Sequence, residues 1–195
     1  MQPFGVRVTG EDLAALTAFY AGLGFVGEGP MFDARGHALF LEKSPEPAGA
    51  ELVWPGQVSV FYDLEGNQHR RAPAVSARAL GTAEIVGVLY GVVDLVESSE
   101  WYQRQLGMAL AFYDVDSDWI ELTSRGLSVL LSFLPGEQRR GVLVLATKDA
   151  PAEVARQQER GLIPLWTRST AWARLALFAD PAGNPVLFME RSGSG

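Results

Sequence analysis

The chain has 195 residues, 48% of them hydrophobic and 20% charged, enough for one large or two small domains with buried cores, and this excludes disorder as its overall state. A net charge of -7, with no run of Lys or Arg, offers a phosphate backbone nothing to bind, so no nucleic-acid partner is expected. No cysteine is present, and the apolar runs fall short of the ~20 residues a membrane span needs; a start at Met1-Gln2-Pro3-Phe4-Gly5 without a secretory leader points to a cytoplasmic protein.

The first predicted strand is Val6-Arg7-Val8; Asp12-Leu13 then opens a helix that carries Phe19-Tyr20 and stops at Leu23-Gly24-Phe25. A turn at Arg35-Gly36 leads into the strand Ala38-Leu39-Phe40-Leu41. Ser44 to Gly56, with Pro45, Pro47 and Pro55, reads as a loop or linker, and Val58 to Leu64 as the opening strand of a further unit whose helix is expected over Pro73 to Leu80.

The opening pattern then returns: Tyr90-Gly91-Val92-Val93, Asp94-Leu95, Trp101-Tyr102, Leu106-Gly107-Met108, with the leucine of Asp-Leu six residues before the aromatic in both copies. A looser third copy runs Val142 to Ala146, Asp149, Val154-Ala155 and Gly161-Leu162. Glycine turns precede the closing strands here too, Arg125-Gly126 before Ser128 to Leu131, and Asp180-Pro181-Ala182-Gly183-Asn184 before Val186 to Met189. Asp12, Asp94 and Asp149 stand where a carboxylate caps a helix start, and Gly24, Gly107 and Gly161 where a helix ends.

The unit is therefore strand, helix and three further strands. It is complete over residues 86–134 and 141–190, which Pro135 to Arg140 connect, and shortened over 4–43. The expected organisation is a degenerate N-terminal unit with an extra strand and linker in residues 1–81, paired units in 82–191, and a flexible tail in 192–195.

This ordered set, and Asp180-Pro181-Ala182-Gly183-Asn184-Pro185-Val186-Leu187 above all, resembles the vicinal oxygen chelate superfamily of glyoxalases, bleomycin-resistance proteins and dioxygenases. The resemblance implies an α+β fold of repeated βαβββ units whose curled, antiparallel-rich sheets form a cup. Enzymes of the family hold one divalent metal there with His, Gln or Glu from the first and last strands of each unit. Carried over, those positions are Gly87, Leu130, Val142 and Leu187, with Gly5 and Phe40 in the first copy. None offers an imidazole or carboxylate, so neither a metal nor another cofactor is expected. The two histidines, His37 and His69, are expected at the surface or in turns. The run Asp114 to Asp118 lacks the sixth-position glycine and closing glutamate of a calcium loop, Arg125 standing in the latter place, and reads as a solvated hairpin tip.

Metal-free members of the family include antibiotic-sequestering proteins that hold a drug between aromatic rings. Here Trp119, Trp166 and Trp172 fall on predicted strands, and a period of two puts Glu121, Arg168 and Arg174 on the same faces. If those faces line the cup, the six residues form a site for an aromatic or hydrophobic molecule, with the net negative charge favouring a cationic one; if not, the tryptophans pack the outer face. Trp101 and Phe19 are core residues on helix faces. No Gly-x-Ser-x-Gly elbow surrounds Ser128 or Ser132. The leading expectation is thus a metal-independent binding or sequestering protein. The alternatives are an enzyme of the same fold with atypical or no metal, Glu121 being its candidate general base, and a noncatalytic homodimer in which the unpaired first unit completes itself against a second copy.

Overall fold

Each helix begins where a carboxylate satisfies its free N–H groups. In the computed structural model, Asp12 accepts from the Ala15 N–H to open α1 (Leu13–Gly22), Asp94 from Glu97 to open α2 (Leu95–Leu106), and Asp149 from Ala152 to open α3 (Ala150–Glu159). Gly107 ends α2 in the left-handed conformation, φ 67°, that glycine adopts without a Cβ clash. The structure describes residues 3–28, 31–34, 37–45, 49–73, 81–124, 126–133 and 140–192. The helix expected over Pro73 to Leu80, the Pro135 to Arg140 connector and the 192–195 tail lie almost wholly outside them. No described helix is long and apolar enough to cross a membrane.

The described strands form two sheets. The first is built from β1 (Gly5–Gly10), β2 (Val26–Glu28), β3 (Met31–Ala34), β4 (His37–Lys43), β5 (Ala50–Pro55), β6 (Ser59–Tyr62) and β7 (Gln68–Ala72), in the order β2-β3-β4-β1-β5-β7-β6. The second contains β8 (Ile85–Val92), β9 (Ala109–Asp114), β10 (Trp119–Ser124), β11 (Leu127–Phe133), β12 (Val142–Ala146), β13 (Trp166–Ser169), β14 (Ala173–Ala179) and β15 (Pro185–Arg191), in the order β13-β14-β15-β12-β8-β11-β10-β9. In every unit the opening strand pairs parallel with the closing strand, and opening strands of neighbouring units pair antiparallel, as β1 with β5 and β8 with β12.

Two expectations for the N-terminal half are corrected. Residues 50–55, read as linker because prolines and glycines flank them, form β5, the opening strand of a second unit. Residues 59–62 are not an opening strand but β6, one arm of a hairpin with β7. No helix separates β5 from β6, so this unit has lost its helix and one strand. The first unit is consequently paired within the chain, which removes the reason for completing it with a second copy.

Contacts between the halves are reciprocal. Asp63-Leu64-Glu65-Gly66-Asn67 makes the same turn as Asp180-Pro181-Ala182-Gly183-Asn184: the aspartate accepts from the backbone N–H groups two and four residues on and from the asparagine side chain. The Asn184 amide also donates to the Thr9 carbonyl, and the Asn67 amide to that of Gly91. The Tyr20 hydroxyl of α1 donates to Asp180 across the halves at 3.1 Å, and the Tyr102 hydroxyl of α2 to Asp63 at 2.6 Å. One core joins the two sheets around these turns, with Val6, Val8, Leu52 and Trp54 on one side and Val88, Tyr90, Leu143 and Leu145 on the other. Phe19 is buried in it and Trp101 packs against it.

His69, expected in a surface loop, is fully buried in that core, on β7. Its Nε2 lies 3.0 Å from the Tyr102 hydroxyl, whose single proton goes to Asp63, so His69 Nε2 is the donor and Nδ1 accepts from Trp54 Nε1 at 3.4 Å. Burial lowers its pKa to about 3 and holds it neutral. His37 is half-buried against the Gly126 turn of the other half, and desolvation lowers its pKa also.

Candidate functional site

The cup of the second sheet is set by strand parity. On β14, Ala173, Leu175 and Leu177 face a second apolar cluster with Leu89, Leu130, Val142, Val144, Leu187 and Met189, whereas Ala176 and Phe178 face the core. Leu130, Val142 and Leu187, at positions where the family's metal ligands stand, are therefore buried floor residues. At the fourth, Gly87, a Cβ would lie 1.8 Å from the Ser128 carbonyl oxygen, so this backbone admits no side chain there. Among the described residues no three of His, Asp and Glu come together. This donor set does not fit the divalent metal that the fold is known for.

Trp119, Trp166, Arg168 and Trp172 converge above that floor around a cavity of about 100 Å3, with Leu89, Val142, Leu175 and Leu177 beneath. Trp166 and Arg168 pair across the sheet with Leu177 and Leu175, which puts them on the cup side. The Trp119 and Trp172 rings meet at 5.1 Å between centroids, and Phe112 packs on Trp172 at 5.0 Å. Trp172 Nε1 donates to Asp114 at 2.6 Å and to Ser117 at 3.1 Å. The hairpin tip expected to be merely solvated thus anchors one wall of the cavity, a long-range contact that no local pattern announces.

The other two residues of the expected site, Glu121 and Arg174, do not line this cavity. Trp172 precedes β14 and sits in a bend, so the period of two does not run from it to Arg174. Arg174 shares its face with Ala176 and Phe178 and pairs with Glu190 beside the start of α3. Glu121 is on the cup side but buried; it accepts from the Ser128 hydroxyl at 2.8 Å and is ion-paired with Arg191, so both its oxygens are engaged.

The cup of the first sheet was not legible as a site, because its β5 was read as linker. Strand registers align Arg7, Phe40, Glu51 and Arg70 with Leu89, Leu130, Val142 and Leu187. Glu51 is buried and takes two hydrogen bonds from Arg7 at 3.0 Å and one from Gln68 at 2.7 Å, with Arg70 at 3.7 Å; Arg7 also binds Glu42 at 2.6 Å. Glu51 stands at a ligand position, but two guanidinium groups surround it and oppose a cation there.

Two sheets of paired units, closing strands parallel to opening strands and a floor at this point of each cup together decide the architecture. The chain has the vicinal oxygen chelate fold. Solved structures of that fold superpose along the whole chain: the 2,3-dioxygenase LapB from Pseudomonas sp. KL28 at 12% identity and TM-score 0.70, covering 99% of this chain and 94% of that one. The Mn(II)-bound glyoxalase from Novosphingobium aromaticivorans matches at 16% identity and TM-score 0.64, covering 97% and 81%, and a catechol 2,3-dioxygenase at 15% and 0.59, covering 100% and 91%. No family model matches the sequence, and no curated protein does. At such identities this chain shares a fold with those enzymes, and its activity must be argued from its own cups.

Proposed function

We propose that the C-terminal cup binds a small hydrophobic or aromatic molecule without a metal, holding or sequestering it rather than transforming it. The observation that carries this reading is the convergence of Trp119, Trp166 and Trp172, far apart in sequence, around a cavity over an apolar floor. Aromatic rings lining an apolar cavity suit a flat organic ring, which gains from both dispersion and quadrupole contact. The cavity of about 100 Å3 is smaller than the ~150 Å3 that accommodates benzene in an apolar core. Trp166, 41% exposed at the mouth, is the most exposed of the three rings that line it. Glu121, held by Arg191 and Ser128, is poorly placed to take a proton from a bound molecule.

Tryptophan fluorescence titrated with a panel of aromatic compounds tests the proposal. Saturable quenching without turnover is expected, with Trp166→Ala weakening affinity by about 1 kcal/mol or more, and chelator treatment leaving the melting temperature unchanged. Absence of saturable quenching, or a Trp166→Ala variant with altered stability and unaltered affinity, would assign these rings to packing.

A further inference from the structure

The polar groups of the cavity specify one end of the ligand. Trp119 is 5% exposed and lines the cavity, yet its indole N–H has no acceptor among the described residues. A buried donor without a partner is costly, and native proteins seldom leave one so unless something else accepts from it. Its neighbour Trp172 shows the contrast: that indole is satisfied by Asp114 and Ser117. The Arg168 side chain, also on the cavity wall, forms no ion pair or hydrogen bond among the described residues, while those of Arg174 and Arg191 on neighbouring strand positions are both paired. Asp114, at the rim, is already occupied by Trp172, Ser117 and the Asp116 N–H. Two residues of the cavity wall therefore carry uncommitted polar groups among the described residues, the Trp119 indole donor and the Arg168 cation, while the Asp114 carboxylate at the rim keeps its charge but is held by three neutral donors.

Resting on the binding reading above, we infer that the ligand is an aromatic acid: one flat ring lodged against the wall formed by Trp119, Trp166 and Trp172, bearing a carboxylate or similar anionic acceptor that takes the Trp119 N–H and faces Arg168. The charge of the whole chain, which by itself favours a cationic ligand, is overruled locally, because charges beyond a Debye length are screened whereas a contact at the cavity wall is not. A charged acceptor also forms the stronger hydrogen bond with a neutral donor.

Benzoate, benzamide, benzylamine and toluene share a ring and differ at this end, so the test titrates all four against the full chain by tryptophan fluorescence and calorimetry. Benzoate is expected to bind at least tenfold more tightly than protonated benzylamine, with benzamide between them. Trp119→Phe, which keeps a ring and removes the N–H, should weaken benzoate about tenfold and leave toluene unchanged. Arg168→Gln should weaken benzoate about threefold at low salt, an effect that fades near 1 M salt. Arg174→Gln, on the opposite face, serves as the control and should change nothing. Benzylamine binding as tightly as benzoate, or toluene matching both with Trp119→Phe silent, would overturn the acid while leaving the binding site standing. Binding of none of the four would overturn both.

Discussion

At equivalent points of two cup floors, the N-terminal half carries Arg7, Phe40, Glu51 and Arg70, and the C-terminal half Leu89, Leu130, Val142 and Leu187. The same contrast recurs on the core side of the closing strands, where His69 of β7 aligns with Val186 of β15. What surrounds these positions is nevertheless the same: the Asp-x-x-Gly-Asn turn, the tyrosine that reaches it from the other half, and the order of strands. Caps, turns and pairing rules thus build the frame whatever the floor contains. A floor residue need only be buried with its polar groups satisfied, and an apolar contact or a closed ion-pair network meets that condition equally.

The largest expected effect comes from opening the charged floor. Glu51→Gln leaves the buried Arg7 with the half-exposed Glu42 as its remaining counter-charge and should cost up to about 3 kcal/mol, read from urea unfolding. Arg7→Leu with Glu51→Val, which copies the residues of the C-terminal floor, should recover more than half of that loss. A double variant no more stable than the single would show that the two floors are not interchangeable.

Acid should act on the N-terminal half next. Burial lowers the pKa of His69 to about 3 in the folded chain, against ~6.5 when unfolded. The unfolded state therefore binds the extra proton between those values. Its contribution is fully present above the unfolded pKa and falls with pH through the window, by up to ~1.4 kcal/mol per unit. Unfolding free energies at pH 7 and 5 should show this slope, and His69→Val, the C-terminal equivalent, should flatten it. Asp180, whose pKa desolvation raises, acts in the opposite sense at lower pH, so the comparison belongs above pH 5. An unchanged slope in the variant would remove His69 as its source.

The frame itself is probed by Tyr20→Phe and Tyr102→Phe. Each leaves a buried aspartate short of one donor and should cost ~1–2 kcal/mol, with Tyr102→Phe the costlier of the two because it also removes the acceptor of the His69 Nε2–H. A loss confined to one variant would break the equivalence. Smallest of all, Arg174→Gln removes an ion pair in which the arginine side chain is 57% exposed, and should change stability by less than ~0.5 kcal/mol.

Local rules made much of this legible. Asp12, Asp94 and Asp149 cap the helices where the sequence puts them, because a cap needs nothing beyond three residues of its own chain. Repetition of the unit and its closing turn led to the fold, and position-by-position transfer placed apolar or side-chain-free residues at the ligand points. The period of two gathered Trp166 with Arg168 along β13, yet failed at Trp172, since parity holds only inside a strand and a bend breaks it. Residues 50–55 escaped notice because flanking prolines and glycines outweighed a short apolar run, although Asp63-x-x-Gly66-Asn67 matches Asp180-x-x-Gly183-Asn184 and could have revealed the truncated unit.

By itself the sequence determined the repeating unit, its caps and turns, and the apolar character of the C-terminal ligand positions, all consequences of neighbours a few residues apart. Tertiary structure alone decided that β5 pairs with β1, that His69 is buried behind Tyr102 and Asp63, and that the Trp119 N–H finds no acceptor among the described residues while Asp114 satisfies Trp172 across 58 residues of chain. Each depends on which distant group arrives to share or withhold a hydrogen bond, and that is fixed when the sheets close.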